Sequence, residues 1–178
     1  QIRFDPQNPT HYLDRALCLL YAGDEEAGFA DVDAYAALVK DLEGVLAKLD
    51  WLALRLALVP HHDCRPELVL RLAEKMVDLA PDDQRSAKLR GLAHYRAGRW
   101  QEAMEVLEQA TELGSHEMSQ SLLLQAMVHH RLGHAKQARA CYEEAMQHRA
   151  YENWTAKSPY NALLFETRAL LQISMVEQ

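Results

Sequence analysis

The sequence contains few of the residues that interrupt regular secondary structure. Glycine and proline number only 7 and 6 among 178 residues, and most lie between segments with helical periodicity, where such residues mark turns. Low-complexity tracts and long blocks of like charge are absent, which argues against a largely disordered chain. Alanine, leucine, glutamate, glutamine and arginine are good helix formers and dominate the rest. We therefore expect an ordered helical protein.

Cysteine is also scarce. The three cysteines, Cys18, Cys64 and Cys141, are far apart and form no Cys-x-x-Cys pair. Their odd number and wide spacing argue against a disulfide framework and against a zinc cage. The simplest expectation is a reducing compartment and a cytoplasmic location.

No apolar run is long enough to cross a bilayer. The longest, at 45–59, is interrupted by Lys48, Asp50 and Arg55 and falls short of the roughly 20 residues that a span requires. The net charge of −7 would repel phosphate backbones and anionic lipid. We expect neither a membrane nor a nucleic acid as partner. The chain opens at Gln1 without a secretory leader pattern, and we expect it to be a piece of a longer protein.

Motifs for catalysis are missing as well. The sequence contains no glycine-rich phosphate loop, nucleophile elbow or paired-carboxylate motif, so we expect no enzyme, no cofactor and no metal. Two histidine clusters keep a metal-dependent alternative open. One is His61-His62-Asp63-Cys64, and the other comprises His129, His130 and His134. Adjacent helical residues point about 100° apart, so the second cluster is not expected to converge.

The sequence does contain an internal repeat. The segment GLAHYRAGRWQEAMEVLEQA at 91–110 is followed 35 positions later by AMVHHRLGHAKQARACYEEA at 126–145. A fixed period of this size predicts stacked helical hairpins. We predict one all-α array over 1–178, with Gly44 as a break between the first two hairpins. The expected hairpins span about 9–42, 45–80, 84–113 and 118–148, with a capping helix at about 159–174.

The repeated segments resemble the tetratricopeptide repeat (TPR), a hairpin of two helices with a period of roughly 34 residues. That family has small residues where paired helices approach closely, because bulk is tolerated only where a groove receives it. The resemblance implies a right-handed α-solenoid of antiparallel hairpins with a C-terminal capping helix. The small-residue positions are Gly91, Gly98, Ala103 and Ala110 in one repeat and Ala126, Gly133, Ala138 and Ala145 in the next, with Leu107 and Tyr142 in the large apolar position.

A narrower resemblance extends over most of the chain. The motifs LLYAGD, LAPDD, YRAGRWQEA and HHRLGHAKQA, in this order, look like the repeat extensions at the C-terminal ends of large planctomycete proteins. Many of those proteins carry a serine/threonine protein kinase domain further upstream. The resemblance implies a recruiting module within a larger protein, and this sequence contains no kinase motif of its own.

In the TPR family, the first helix of each hairpin lines a concave groove. Transferring its exposed positions implies a basic and aromatic strip suited to an acidic or C-terminal peptide, since arginine forks, tyrosine rings and methionine favour such ligands. The expected function is a non-catalytic protein-protein interaction module. The alternative is a structural spacer or self-association module without a peptide ligand. The implied groove residues are Lys88, Leu92, Tyr95, Arg96, Leu123, Met127, His130 and Arg131.

Overall fold

The computed structural model describes residues 7–58, 65–112, 118–149 and 160–173, and all regular structure in these ranges is α-helical. Consecutive helices pack as antiparallel hairpins, and successive hairpins stack on one another. The prediction of an all-α solenoid of helical hairpins is confirmed. The helices are α1 (Pro9–Ala22), α2 (Glu25–Leu38), α3 (Leu42–Ala57), α4 (Pro66–Leu79), α5 (Gln84–Arg96), α6 (Trp100–Glu112), α7 (Met118–Arg131), α8 (Ala135–Arg149) and α9 (Asn161–Leu171).

The first hairpin begins and turns where its sequence predicts. The Asn8 side chain accepts a hydrogen bond from the backbone N–H of Thr10 at 3.1 Å, and Pro9 occupies the first turn of α1. Both are favourable at a helix start because the first N–H groups lack intrahelical partners. Gly23 ends α1 with φ of 90°, a left-handed conformation that suits glycine. Asp24 then caps α2.

The predicted break at Gly44 is wrong. Helix α2 already ends at Leu38, and α3 begins at Leu42, so Gly44 lies within the first turn of α3. A side chain at Gly44 would place its Cβ 2.6 Å from the carboxylate of Asp41, the residue that precedes the helix. Glycine here makes room for the Asp41 side chain at the helix start, and the connection between hairpins lies several residues earlier.

The two repeats recognised in the sequence have matching turns. Gly98 and Gly133 both have positive φ, at 74° and 82°. Behind them, the backbone N–H groups of Arg99 and His134 donate to the carbonyls of His94 and His129, each at 2.9 Å. Glycine adopts this left-handed conformation without strain. The hydrogen bond from the residue after the glycine satisfies a carbonyl of the last helical turn that would otherwise lack a partner.

Small residues permit the close packing within these hairpins. A Cβ added to Gly91 would lie 2.5 Å from Cγ of Leu107, which is fully buried on the facing helix α6. The alanines at the equivalent contact positions are also buried, which confirms the steric role expected for them. They are Ala103, Ala110, Ala126, Ala138 and Ala145.

Helix α7 is enclosed on every side. Ten consecutive residues, 119–128, are buried, whereas a helix at a protein surface exposes one face. The neighbours of α7 are α6, α8, α9 and, to a smaller extent, α5. This enclosure follows from the position of α9, which closes the side that a solenoid would otherwise leave open to solvent.

Helix α9 does not continue the stack in the manner of the earlier helices. Both α5 and α7 pack more on the second helix of the preceding hairpin than on its first helix. Helix α9 does the reverse, with α7 as its main neighbour and only a small contact with α8. It therefore lies across the face formed by the first helices of the hairpins, and we call this face the groove.

Candidate functional site

The eight residues predicted to line the groove lie on α5 and α7, and most are covered. The structure buries Lys88, Leu92, Tyr95, Leu123 and Met127, in contrast with the exposure expected for groove positions. His130 is half-buried and Arg131 is exposed. The side chain of Arg96 is only 4% exposed. The polar members of the set meet other parts of the chain, and their role in binding a peptide stays a prediction.

Arg96 forms a bidentate ion pair with a residue of α9. Its Nη1 and Nη2 donate to the two carboxylate oxygens of Glu166, each at 2.6 Å. Its Nε donates to the backbone carbonyl of Ala57, at the end of α3, at 3.0 Å. This parallel geometry is the strongest that arginine makes with a carboxylate. Arg96 thus binds a carboxylate that belongs to the same chain.

Lys88 lies at the other end of the covered surface. Its Nζ donates to Oε1 of Gln120 on α7 at 2.8 Å and to the hydroxyl of Tyr160, immediately before α9. The Tyr160 hydroxyl donates in turn to Oδ2 of Asp50 on α3 at 2.6 Å. The second Asp50 oxygen lies 3.4 Å from Lys88 Nζ without a hydrogen bond. A buried lysine requires such partners because its desolvation is costly.

Tyr95 connects the covered groove to its exposed edge. Its hydroxyl accepts a hydrogen bond from Nε of Arg131 at 3.3 Å. Burial raises the pKa of Tyr95, and the nearby carboxylate of Glu166 raises it further, against the opposite effect of Arg131 and Arg96. The exposed Arg131 is thus held against the buried Tyr95 hydroxyl.

Exposed aromatic residues lie on the first helices of the first two hairpins. On α1 and α3, Tyr21 and Trp51 are 40% and 36% exposed. The guanidinium of Arg55 lies 5.5 Å from the Trp51 ring centroid, and the Tyr21 hydroxyl donates to the Arg55 carbonyl at 2.7 Å. We call Tyr21, Trp51 and Arg55 the aromatic patch. Tryptophan, tyrosine and arginine are the residues most enriched at the energetic centres of protein interfaces.

The other flank of α9 faces α8. Nε of Arg168 donates to the Tyr142 hydroxyl at 2.8 Å, and both residues are buried. A cleft of about 460 Å³ beside this contact is lined partly by Arg139, Met146 and Arg149. Arg139 is paired with Glu143 at 3.1 Å. The cleft is open, and it separates α8 from the end of α9.

Of the two histidine clusters, the one at 129–134 lies within the described residues. As expected, the trio of His129, His130 and His134 does not converge: His129 and His134 place their Nδ1 atoms 3.3 Å apart, while His130 lines a separate cleft. Burial lowers the pKa of His129, and His134 lowers it further. Among the described residues, no three histidine, cysteine or carboxylate side chains come close enough to hold a metal. The cluster at 61–64 lies outside the described residues.

Three residues that contact the predicted groove residues or their partners were not predicted from the sequence, namely Asp50, Tyr160 and Glu166. One signal was available for Asp50, because a carboxylate inside an otherwise apolar helix needs a polar partner when the helix is buried. Nothing in the repeat pattern indicates Tyr160 or Glu166, since both belong to the segment after the last hairpin. Their importance depends on where α9 packs.

The comparisons with known proteins concern the central and C-terminal hairpins. Residues 70–145 match the family model for anaphase-promoting complex, cyclosome, subunit 3, and this match covers less than half of the chain. No curated protein and no solved structure matches. Within the described ranges, no helix combines the length and apolarity that crossing a membrane requires. The matched family is built from TPR-like repeats, which generally bind proteins and carry no catalytic activity. Residues 70–145 are thus similar to a family of TPR-like helical repeats.

Proposed function

We propose that this chain is a non-catalytic module that binds a protein segment along its groove. The position of α9 is the observation that supports the proposal. A helix already lies across α3, α5 and α7, and its polar contacts include two residues predicted from the TPR resemblance, Lys88 and Arg96. A surface that holds one amphipathic helix has the shape and the charge to hold another.

An acidic segment is the ligand class that fits best. The groove contains Lys88, Arg96 and Arg131 within a chain whose net charge is −7. Arg131 is exposed, and Lys88 and Arg96 would attract carboxylates once α9 has left them. The aromatic patch extends this surface and offers ring contacts. Electrostatic attraction of this kind accelerates association and selects partners more than it strengthens binding.

Nuclear magnetic resonance on the ¹⁵N-labelled full chain tests the proposal. Acidic peptides selected from a random library on the full chain should shift amide resonances of α3, α5, α7 and α9. Replacing Trp51 with alanine or Arg131 with glutamate should weaken their binding. A matched control is Glu143→Lys on the outer helix α8, which should leave the affinity unchanged. Shifts confined to α4, α6 and α8 would place binding elsewhere and contradict the groove assignment.

The burial of the groove also favours a second candidate, a structural spacer or self-association module without a peptide ligand. In that case the contacts of α9 would serve only to close the solenoid. Light scattering of the full chain, with and without the selected peptides, separates the two. A peptide-binding module should form a complex of one chain and one peptide. A self-association module should form dimers whose mass the peptides do not change.

The module is proposed to act within a larger cytoplasmic protein, as the narrower resemblance to kinase-linked repeat extensions implies. Its role there would be to recruit a partner for an activity located elsewhere. Cys18 is exposed and Cys141 is half-buried, and both are free thiols. Free thiols suit a reducing compartment.

A further inference from the structure

The residues of α9 divide into two sets. Leu163, Leu164 and Thr167 are buried toward the groove, together with Tyr160 at the start of the helix. Ala162, Phe165 and Ala169 are exposed on the opposite side, and Phe165 is 53% exposed. The buried set recurs at intervals of three and four residues, as expected for an amphipathic helix lying in an apolar channel.

Charged residues on the two flanks fix the orientation of α9. Glu166 extends to Arg96 on α5, and Arg168 extends to Tyr142 on α8. Tyr160 joins Lys88 and Asp50 at the beginning of the helix. These anchors reach the first helices of two hairpins, α3 and α5, and the second helix α8. Covering the end of the last hairpin alone would require contacts only with α7 and α8.

We infer that the groove recognises an amphipathic helix with the pattern Tyr-x-x-Leu-Leu-x-Glu, and that α9 is the chain's own copy of this ligand. A partner helix of this chemistry has to displace α9 to bind. This inference rests on the proposed function and specifies its ligand. The tyrosine hydroxyl binds between Lys88 and Asp50, the two leucines fill the apolar channel over α7, and the glutamate binds Arg96.

The competition between α9 and a partner has a measurable consequence. When only a fraction of molecules has an open groove, the apparent dissociation constant equals the intrinsic constant divided by that fraction. Changes confined to α9 raise the open fraction and leave the groove intact. Changes in the groove remove binding whether α9 is seated or not. The two kinds of variant therefore separate displacement from recognition.

The experiment uses the full chain and a fluorescent peptide with the sequence of residues 160–173, followed by anisotropy. The wild-type chain should bind the peptide weakly. The Tyr160→Phe, Glu166→Gln chain should bind it at least about tenfold more tightly, since its own α9 has lost two anchors. The control Phe165→Ala, on the exposed side of α9, should keep the wild-type affinity. Adding Arg96→Ala to the double variant should abolish the gain.

A second form of the chain provides an independent test in case the double variant misfolds. It carries a protease site inserted in the segment 150–159, so that α9 can be cut from an otherwise unaltered groove. After cleavage and dilution, the labelled peptide should replace the cut helix, and a peptide with the Glu166→Gln change should do so at least about tenfold less well. Circular dichroism should show the same helix content before and after exchange.

The outcomes test the displacement of α9 and recognition by the groove separately. Equal affinity of the peptide for the wild-type, double-variant and cleaved chains would overturn displacement while the groove proposal survived. Absence of binding to all three would overturn the Tyr-x-x-Leu-Leu-x-Glu ligand, while binding of the selected acidic peptides would still decide the groove proposal. Tight binding to the double variant that Arg96→Ala does not affect would overturn the assigned role of the glutamate.

Discussion

At the level of single residues, the absence of a side chain at Gly91 allows α5 to approach α6. We expect Gly91→Ala to lower the free energy of unfolding by about 1–3 kcal/mol, because the new Cβ would overlap the buried Leu107 side chain. Urea denaturation measures the change. Gly44→Ala is the matched control, since its Cβ meets only the exposed Asp41 carboxylate, which can move. This control should be neutral or slightly stabilising. An equal loss in both variants would contradict the packing argument.

His94 and His129 occupy equivalent positions in the two repeats, and burial lowers the pKa of each. The unfolded chain therefore binds protons more readily than the folded chain below about pH 6.5, the ordinary histidine pKa. Above that pH, protonation of His94 and His129 does not affect the free energy of unfolding. As the pH falls below it, proton uptake by the unfolded chain lowers the free energy of unfolding. We expect stability to decrease between pH 7.5 and 5.5 in wild type and to decrease less in His94→Gln, His129→Gln. Urea titrations at both pH values check this, and identical decreases would contradict it.

Single positions also show how far the sequence predicts the site. The small residues and the turn glycines follow from the repeat pattern because local geometry requires them, and the structure confirms their roles. The exposure of Lys88 and Leu92 could not be judged in this way. It depends on what covers α5. Tyr160, which contacts Lys88, lies more than 70 positions further along the chain. Sequence distance of this kind leaves no periodic signal.

At the level of elements, the start of α5 depends on Asp83. Its carboxylate accepts from the backbone N–H of Arg85 at 2.9 Å and binds the Arg85 guanidinium, which also reaches Glu43 on α3. We expect Asp83→Ala to cost about 1–2 kcal/mol of stability through loss of the cap. Asp41→Ala is the control, because Asp41 precedes α3 without making a side-chain capping bond. Thermal unfolding of both variants measures the difference, and equal effects would contradict the capping role.

The helices were largely predictable from the sequence, but the surface on which α9 packs was not. Helical periodicity and turn residues indicated the hairpins, and the described helices follow them apart from the connection near Gly44. The position of α9 was not predictable from its own sequence, since an apolar stripe shows only that a helix must pack. Partly buried pairs such as Arg96 with Glu166 hold α9 on the groove, and such pairs form only when the hairpins have stacked.

At the level of the whole molecule, the first hairpin is attached less firmly than the rest. Helices α1 and α2 pack mainly on each other, with only a small contact between α1 and α3. Ion pairs of α2 with α4, including Arg71 with Glu25, have exposed partners, and exposed pairs contribute little. We expect amides of α1 and α2 to exchange through openings of lower free energy than those of α7. Native-state hydrogen exchange in low urea tests this, and equal protection would contradict it.

The enclosure of α7 has a consequence for how this chain can vary. Most helices tolerate replacement along a stripe that faces water, so their permissive and restrictive positions alternate with the helical turn. Residues 119–128 have no such stripe. Substitutions should be restricted there at ten successive codons, and the part of the gene that encodes α7 should diverge more slowly than the parts on either side of it.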